Sequence, residues 1–159
     1  MKYKLLSILL LVSTLSSDEL KIEANAFNSD ENTGISVFEG NVKIKKLNDE
    51  LNASKVTVYT NEKKEPTKFV AVGDVSFSIE TKEKTIYKGV AGKAIYIPGT
   101  KEYHFFKNVH LKQVNDKKEI IGDEVLLKTI EGKAYAKGIE SEPVIMIFDI
   151  ADDKNETKE

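Results

Sequence analysis

A seven-residue motif occurs three times in this chain, as Phe38-Glu39-Gly40-Asn41-Val42-Lys43-Ile44, Ala71-Val72-Gly73-Asp74-Val75-Ser76-Phe77 and Phe105-Phe106-Lys107-Asn108-Val109-His110-Leu111. The frame is apolar, any residue, a turn-tolerant residue, Asn or Asp, Val, any residue, apolar. Its valines stand at 42, 75 and 109, spaced by 33 and then 34 residues. A period of that length means one supersecondary unit used several times. The alternation inside each copy makes the unit a β-strand.

A second motif follows each copy of the first: Asn52-Ala53-Ser54-Lys55-Val56-Thr57-Val58-Tyr59, Val90-Ala91-Gly92-Lys93-Ala94-Ile95-Tyr96-Ile97 and Ile121-Gly122-Asp123-Glu124-Val125-Leu126-Leu127-Lys128. The small residues 53, 91 and 122 align, and Ile22-Glu23-Ala24-Asn25-Ala26-Phe27 reads as a diverged early copy. Each unit is therefore two strands joined by a polar connection. The connections carry Asn48-Asp49-Glu50, Thr81-Lys82-Glu83-Lys84 and Asn115-Asp116-Lys117-Lys118-Glu119, which suit exposed turns. No segment from 20 to 148 has a helical period. Strands recurring every eight to twelve residues predict an all-β sandwich, barrel or roll. Pro66, Pro98 and Pro143 each stand beside a strand end, where a missing N–H is tolerated.

Composition narrows the function classes. With 24 basic and 26 acidic residues, net charge makes no case for nucleic acid as a partner. Every basic residue is lysine, so the bidentate fork that reads phosphates and base edges is missing. The absence of cysteine excludes disulfides, thiolate metal sites and a Cys nucleophile. The domain must be held by its apolar core.

At the N-terminus, Lys2 and Lys4 precede a run from Leu5 to Leu15 of mostly Leu, Ile and Val, followed by Ser16-Ser17 and Asp18-Glu19. A basic start, an apolar stretch of about eleven residues and small residues match a cleaved secretory signal over residues 1–17. That stretch falls short of the roughly 20 residues of a spanning helix. The mature chain is expected to be exported, in a bacterium to the periplasm. Residues 18–150 form the folded domain, and the polar stretch 151–159 reads as a disordered tail.

Alternation separates a wet face from an apolar one. Phe69, Ala71, Val75, Phe77 and Ile79 share one parity, as do Tyr103, Phe105, Val109 and Leu111, and Phe38, Val42 and Ile44. In the paired strands the matching positions are Val56 and Val58, Ala94 and Tyr96, and Val125 and Leu127. Stacked units make a continuous apolar strip. Read from the residues alone, the strip is either an ordinary core or a groove for an acyl chain.

No catalytic or metal constellation stands out. His104 and His110 share a parity but lie about 20 Å apart along a strand, too far to share a metal, and read as surface residues. There is no G-x-S-x-G turn and no clustering of His with acids. The carboxylates Asp49-Glu50 and Asp123-Glu124 point to opposite faces and read as solvated charge. Gly40, Gly73, Gly89, Gly92 and Gly122 form no phosphate loop and read as bulges or bends. The run Pro143-Val144-Ile145-Met146-Ile147-Phe148, apolar at both parities, is a doubly buried strand or an edge that pairs with another protein. The strand around Leu20-Lys21-Ile22-Glu23-Ala24 is a candidate for the opposite edge. An edge at each end permits head-to-tail assembly.

Taken in order, Ile22-Glu23-Ala24-Asn25, Phe38 to Ile44, Leu51 to Tyr59, Gly89 to Tyr96, Phe106 to Leu111 and Ile121-Gly122-Asp123-Glu124 resemble the LptA or OstA-like family of periplasmic lipopolysaccharide-transport proteins. The resemblance covers roughly residues 20–148. Two positions depart from it: Asn25 stands where the family usually has Asp, and Lys107 replaces the glycine before Asn108. The family implies a twisted, open β-jellyroll of antiparallel strands with a V-shaped section. Lipid A acyl chains slide along its apolar interior while the sugars stay in water. The resemblance makes Phe38, Val42, Ile44, Val56, Val58, Phe69, Val75, Phe77, Ile79, Tyr96, Phe105, Val109 and Leu111 the lining of that groove. It makes Leu20 and Ile22 at one end, and Val144, Ile145, Met146, Ile147 and Phe148 at the other, the edges of a head-to-tail homo-oligomer. Lipopolysaccharide, an LptC-like inner-membrane component and an LptD-like outer-membrane component are the implied partners. No cofactor, metal or catalysis is called for. The alternatives are an LptC-like protein with a retained anchor and a β-edge structural adaptor that carries no lipid.

Overall fold

The computed structural model describes residues 19–150. The export signal expected over residues 1–17 and the tail expected over 151–159 lie outside the described residues. Ten strands follow one another: β1 (Leu20–Glu23), β2 (Ala26–Asp30), β3 (Ile35–Lys46), β4 (Asp49–Thr60), β5 (Pro66–Glu80), β6 (Ile86–Ile97), β7 (Glu102–Gln113), β8 (Lys118–Lys128), β9 (Lys133–Lys137) and β10 (Ile145–Ile147). They form one sheet in the order β1-β3-β4-β5-β6-β7-β8-β10, with β2 also on β3 and β9 also on β8. Every pairing is antiparallel. The order never returns on itself, so the sheet is open.

The repeated motif marks where this sheet bends. In β3, β5 and β7 two consecutive residues take left-handed backbone angles: Gly40 (φ 79°) and Asn41 (46°), Gly73 (82°) and Asp74 (46°), Lys107 (65°) and Asn108 (50°). Glycine enters that region freely, and Asn and Asp enter it more readily than other residues, which explains the motif's third and fourth positions. Each pair is a bulge, with two residues facing one on the neighbouring strand. Between β3 and β4 the register shifts between Glu39 and Val42, and the four following pairings shift at the same level of the sheet. The bulges therefore line up across five pairings as one crease. Its first member is Asn25, whose N–H donates to the carbonyls of Glu39 (3.1 Å) and Gly40 (2.9 Å) where β1 gives way to β2.

The crease folds the sheet back on itself. A twelve-residue strand is about 40 Å long. Hairpin residues 81–85 lie at one end of the strands and residues 129–132 at the other. Yet the N–H of Lys82 donates to the carbonyl of Thr129 at 3.1 Å. Only a sheet folded along its middle brings those ends together, so the section is a V whose two arms face each other.

Lys107 is the one bulge residue at the motif's third position without glycine's freedom. A side chain in this region costs about 1–2 kcal/mol, part of which glycine returns through the entropy of the unfolded chain. Gly92 lies opposite, and a Cβ built there would stand 2.9 Å from the Lys107 Cβ. Lys107→Gly is expected to stabilise the domain by about 0.5–1 kcal/mol, measured by urea unfolding. Unchanged or lower stability would mean that the crease does not hold this geometry in solution.

The core lies between the arms. Val56, Phe105, Val109, Leu111 and Leu127 are wholly buried, and Val42, Val75 and Ile79 nearly so. The odd-numbered strands keep one inward parity through the bulge. The even-numbered strands change theirs at the single residue facing it: Leu51 and Ala53 point inward on one side of Ser54, Val56 and Val58 on the other. The same switch occurs at Gly92 in β6 and at Asp123 in β8. Parity carried straight through each strand misses Leu51, Ala53, Tyr87 and Ala91, all of them buried. The aligned small residues at 53, 91 and 122 were the available signal, since they stand beside the crease where the arms are closest.

Candidate functional site

Every residue expected to line the interior points into it. Val42, Val56, Val58, Phe69, Val75, Phe77, Ile79, Phe105, Val109 and Leu111 are buried, while Phe38, Ile44 and Tyr96 are half-buried and packed against them. Aromatic rings run along one arm, where Phe69 lies 5.9 Å from Tyr96 and Tyr96 stacks on Tyr103 at 4.5 Å, and reach the other arm where Phe77 stacks on Phe105 at 3.9 Å. Phe77 and Phe105 stand on opposite sides of the crease and meet across the interior, one from each arm. Gly89, paired with Phe77, leaves room for its ring, since a Cβ there would come within 2.8 Å of it.

The chain's own side chains fill this interior. Near the open side of the V, a cavity bounded by Leu20, Ile44, Leu51, Phe69, Ile79 and Tyr96 measures about 30 Å³. That is the room of one water molecule. Among the described residues, two hydrogen bonds join the rims above it. One is the Lys82–Thr129 backbone bond, flanked by the buried Thr81 and Thr129. The other is a hydrogen bond from the Tyr103 hydroxyl to Asp49 Oδ2 at 2.9 Å, while Asp49 Oδ1 accepts from the Glu80 N–H at 2.9 Å.

Asp49 corrects the expectation that the Asp49-Glu50 pair is solvated charge in an exposed turn. It opens β4 and turns inward, whereas Glu50 faces out toward Lys45 at 3.7 Å. Burial raises the Asp49 carboxyl above its usual value, against the opposing pull of its hydrogen bonds to Glu80 and Tyr103 and the nearby charge of Lys46. Burial, and then the charge of Asp49, drives the Tyr103 hydroxyl upward as well. Asp49 thus holds its proton to higher pH in the folded chain than in the unfolded one. The stability tied to it is complete below the unfolded titration and is lost as pH rises through the folded one. Wild type is therefore expected to lose stability relative to Asp49→Asn as pH climbs through the carboxylate range, read from urea melts. Parallel curves would place the carboxyl in solvent.

The two histidines stay outside. His110 contacts Glu119 at 2.7 Å and His104 contacts Glu102 at 3.5 Å, both on the outer face, where the sequence put them. Asp123 and Glu124 are not among the buried residues.

The two end strands present the sheet's edges. β3 carries β1 and β2 as two short halves on its outer side, and β8 carries β10 and β9 in the same way. Leu20 and Ile22 alternate with the exposed Lys21 and Glu23, as a half-covered edge should. Ile145, Met146 and Ile147 are exposed at both parities, and Phe148 is 52% exposed. The doubly buried strand is thereby excluded, and an apolar edge remains. Val144 is half-buried against the neighbourhood of Gly122.

Residues 21–133 match the family model described as LptA/(LptD N-terminal domain) LPS transport protein. No curated protein matches the chain in sequence. Among solved structures, the chain is similar to the crystal structure of LptH, described as the LptA homologous periplasmic component of the conserved lipopolysaccharide transport device from Pseudomonas aeruginosa. The two share 13% identity with a TM-score of 0.73, over 83% of this chain and 96% of that one. At that identity the likeness shows a common fold.

Proposed function

The chain belongs to the LptA and LptD N-terminal-domain family of lipopolysaccharide-transport proteins, and from that premise we propose that it is a periplasmic carrier of lipopolysaccharide. The acyl chains of lipid A lie between the two arms of the V, and the sugars remain in water. The single observation that carries this reading is the folded, open sheet. Its apolar side chains face one another along the whole crease, and its rims meet without β-pairing. A carrier needs no chemistry. A run of similar apolar cross-sections binds a chain by burial, at about 25 cal/mol per Å². Such a run offers no single deep minimum, so the load can move on. Copies and LptC-like or LptD-like neighbours add at the two edges by strand pairing, which the exposed apolar β10 favours.

A second reading has its own observation. The filled interior suits an adaptor that joins its neighbours by their edges and carries nothing. Photo-crosslinking separates the two. A photoreactive residue at Phe38 or Ile44, which flank the core half-buried, is expected to give a lipopolysaccharide adduct in energised cells. One at the exposed Lys88 is the control. Adducts at Phe38 and Ile44 no stronger than at Lys88 would leave the adaptor.

A further inference from the structure

We infer that the rims of the V carry a binding site for the phosphate of an anionic lipid head group, formed by Lys46, Lys82 and Lys101 around the Asp49–Tyr103 bridge. The inference rests on the carrier reading above and names where the polar part of the load sits.

Two spaces meet at that bridge. One is the apolar cavity between the arms. The other is an open depression of about 770 Å³ on the solvent side, bounded by residues 46–49, 80–82 and 84 on one rim and by Lys101, Thr129 and Ile130 on the other. Lys46, Asp49, Tyr96 and Tyr103 line both spaces. Those four side chains are the wall between the apolar interior and the solvent-side depression, so an amphiphile whose chains part the arms would bring its head group to the depression.

The charge on the two sides of this wall is matched to such a ligand. The depression has four lysines and two carboxylates in its wall, in a chain whose net charge is −2. Both carboxylates are already engaged. Glu80 accepts from Lys84 Nζ at 2.6 Å and from Asn48 at 3.3 Å, and Asp49 accepts from Tyr103 and from the Glu80 backbone. Lys46, Lys82 and Lys101 form no ion pair with any carboxylate among the described residues. The three come from different connections: Lys46 ends β3, Lys82 lies in the β5–β6 hairpin and Lys101 in the β6–β7 hairpin. The fold, not local sequence, brings them together. Lysine binds phosphate as a point charge without needing a planar fork, and three converging lysines suit the multiple charge of a phosphate group.

The test compares the purified full chain with a Lys46→Gln, Lys82→Gln, Lys101→Gln variant whose thermal midpoint matches wild type. The probes are bisphosphorylated lipid A in phosphatidylcholine vesicles, the same lipid A with its phosphates removed, and inorganic pyrophosphate. Three contacts, each the size of an exposed ion pair, amount to about tenfold in affinity. The variant is expected to bind bisphosphorylated lipid A about tenfold more weakly, with a shallower dependence on salt. It is expected to bind the dephosphorylated form as wild type does. Equal binding of bisphosphorylated lipid A by both proteins overturns the site while leaving the carrier intact. Failure of wild type to bind either lipid overturns the carrier and this inference with it. Pyrophosphate bound as tightly as lipid A, with the same dependence on the lysines, makes this a site for free phosphate and overturns the head-group assignment.

Discussion

Phe105→Ala is expected to cost about 3–5 kcal/mol, the range for emptying an aromatic site in a well-packed core. Phe105 is wholly buried and stacks on Phe77 at 3.9 Å with the rings 16° from parallel. Its strand neighbours in the same row are Ala94 and Val125, and Ala94 is too small to close the gap. Domains of this size have about 5–15 kcal/mol of stability in all, so one ring accounts for a large share. Calorimetry should show the midpoint falling by about 10–20 °C, at roughly 3–5 °C per kcal/mol. Phe105→Leu, which keeps most of the volume, should cost about 1.5 kcal/mol or less. A Phe105→Ala loss below about 1 kcal/mol would mean that the arms part readily and that water or loose packing already replaces the contact. That outcome would favour an interior open to lipid at rest over one that opens on loading.

The outline of this fold was legible because its two strongest signals are local. Alternation assigns strands and faces without reference to distant residues, and it placed Phe69, Val75, Phe77, Phe105, Val109 and Leu111 correctly inside. The repeated Gly-Asn and Gly-Asp pairs announced bulges, because few other residues enter left-handed angles. What local reasoning missed depends on pairing. A bulge sets two residues of one strand against one of the next, so the neighbour's parity flips at a position with no signature of its own. Ser54, Gly92 and Asp123 are chemically unlike, and beyond the small residue before each they share only their place opposite a bulge. Leu51, Ala53, Tyr87 and Ala91 were lost for that reason.

The rims were illegible for a related cause. Asp49 sits in a polar stretch, Asn48-Asp49-Glu50, that reads as an exposed turn, and nothing near it in sequence accounts for its burial. Its partner Tyr103 lies 54 residues away and meets it only because the sheet folds along the crease. The same fold gathers Lys46, Lys82 and Lys101 from separate connections. Edges were easier, because an apolar run without alternation has few uses. The structure selected the exposed one at Ile145, Met146 and Ile147.

If the crease makes the V, the left-handed glycines should tolerate a methyl group poorly, and Gly73 gives the sharpest case. Its φ of 82° costs an alanine about 1–2 kcal/mol, and the new Cβ would stand 2.8 Å from both Cβ and Oγ of Ser54. Ser54 is not free to retreat without loss, since its hydroxyl donates to the Gly73 carbonyl at 3.2 Å. Strain and crowding together, less a smaller entropy of the unfolded chain, put Gly73→Ala at about 2–3 kcal/mol destabilising. The two parts separate in a double-mutant cycle. Ser54→Gly removes the side chain in the way, so in that background Gly73→Ala should cost only the backbone strain, about 1 kcal/mol. Coupling of about 1 kcal/mol or more between the two positions, by urea unfolding, is the signature of a bulge pressed against its neighbour. Additive effects would mean that strand β5 does not bend against β4 at this level, and the V would lose its hinge. The sign also opposes that of Lys107→Gly two strands away, where the same backbone geometry makes glycine the better residue. A crease of repeated bulges requires both results together, and no account based on burial alone predicts either.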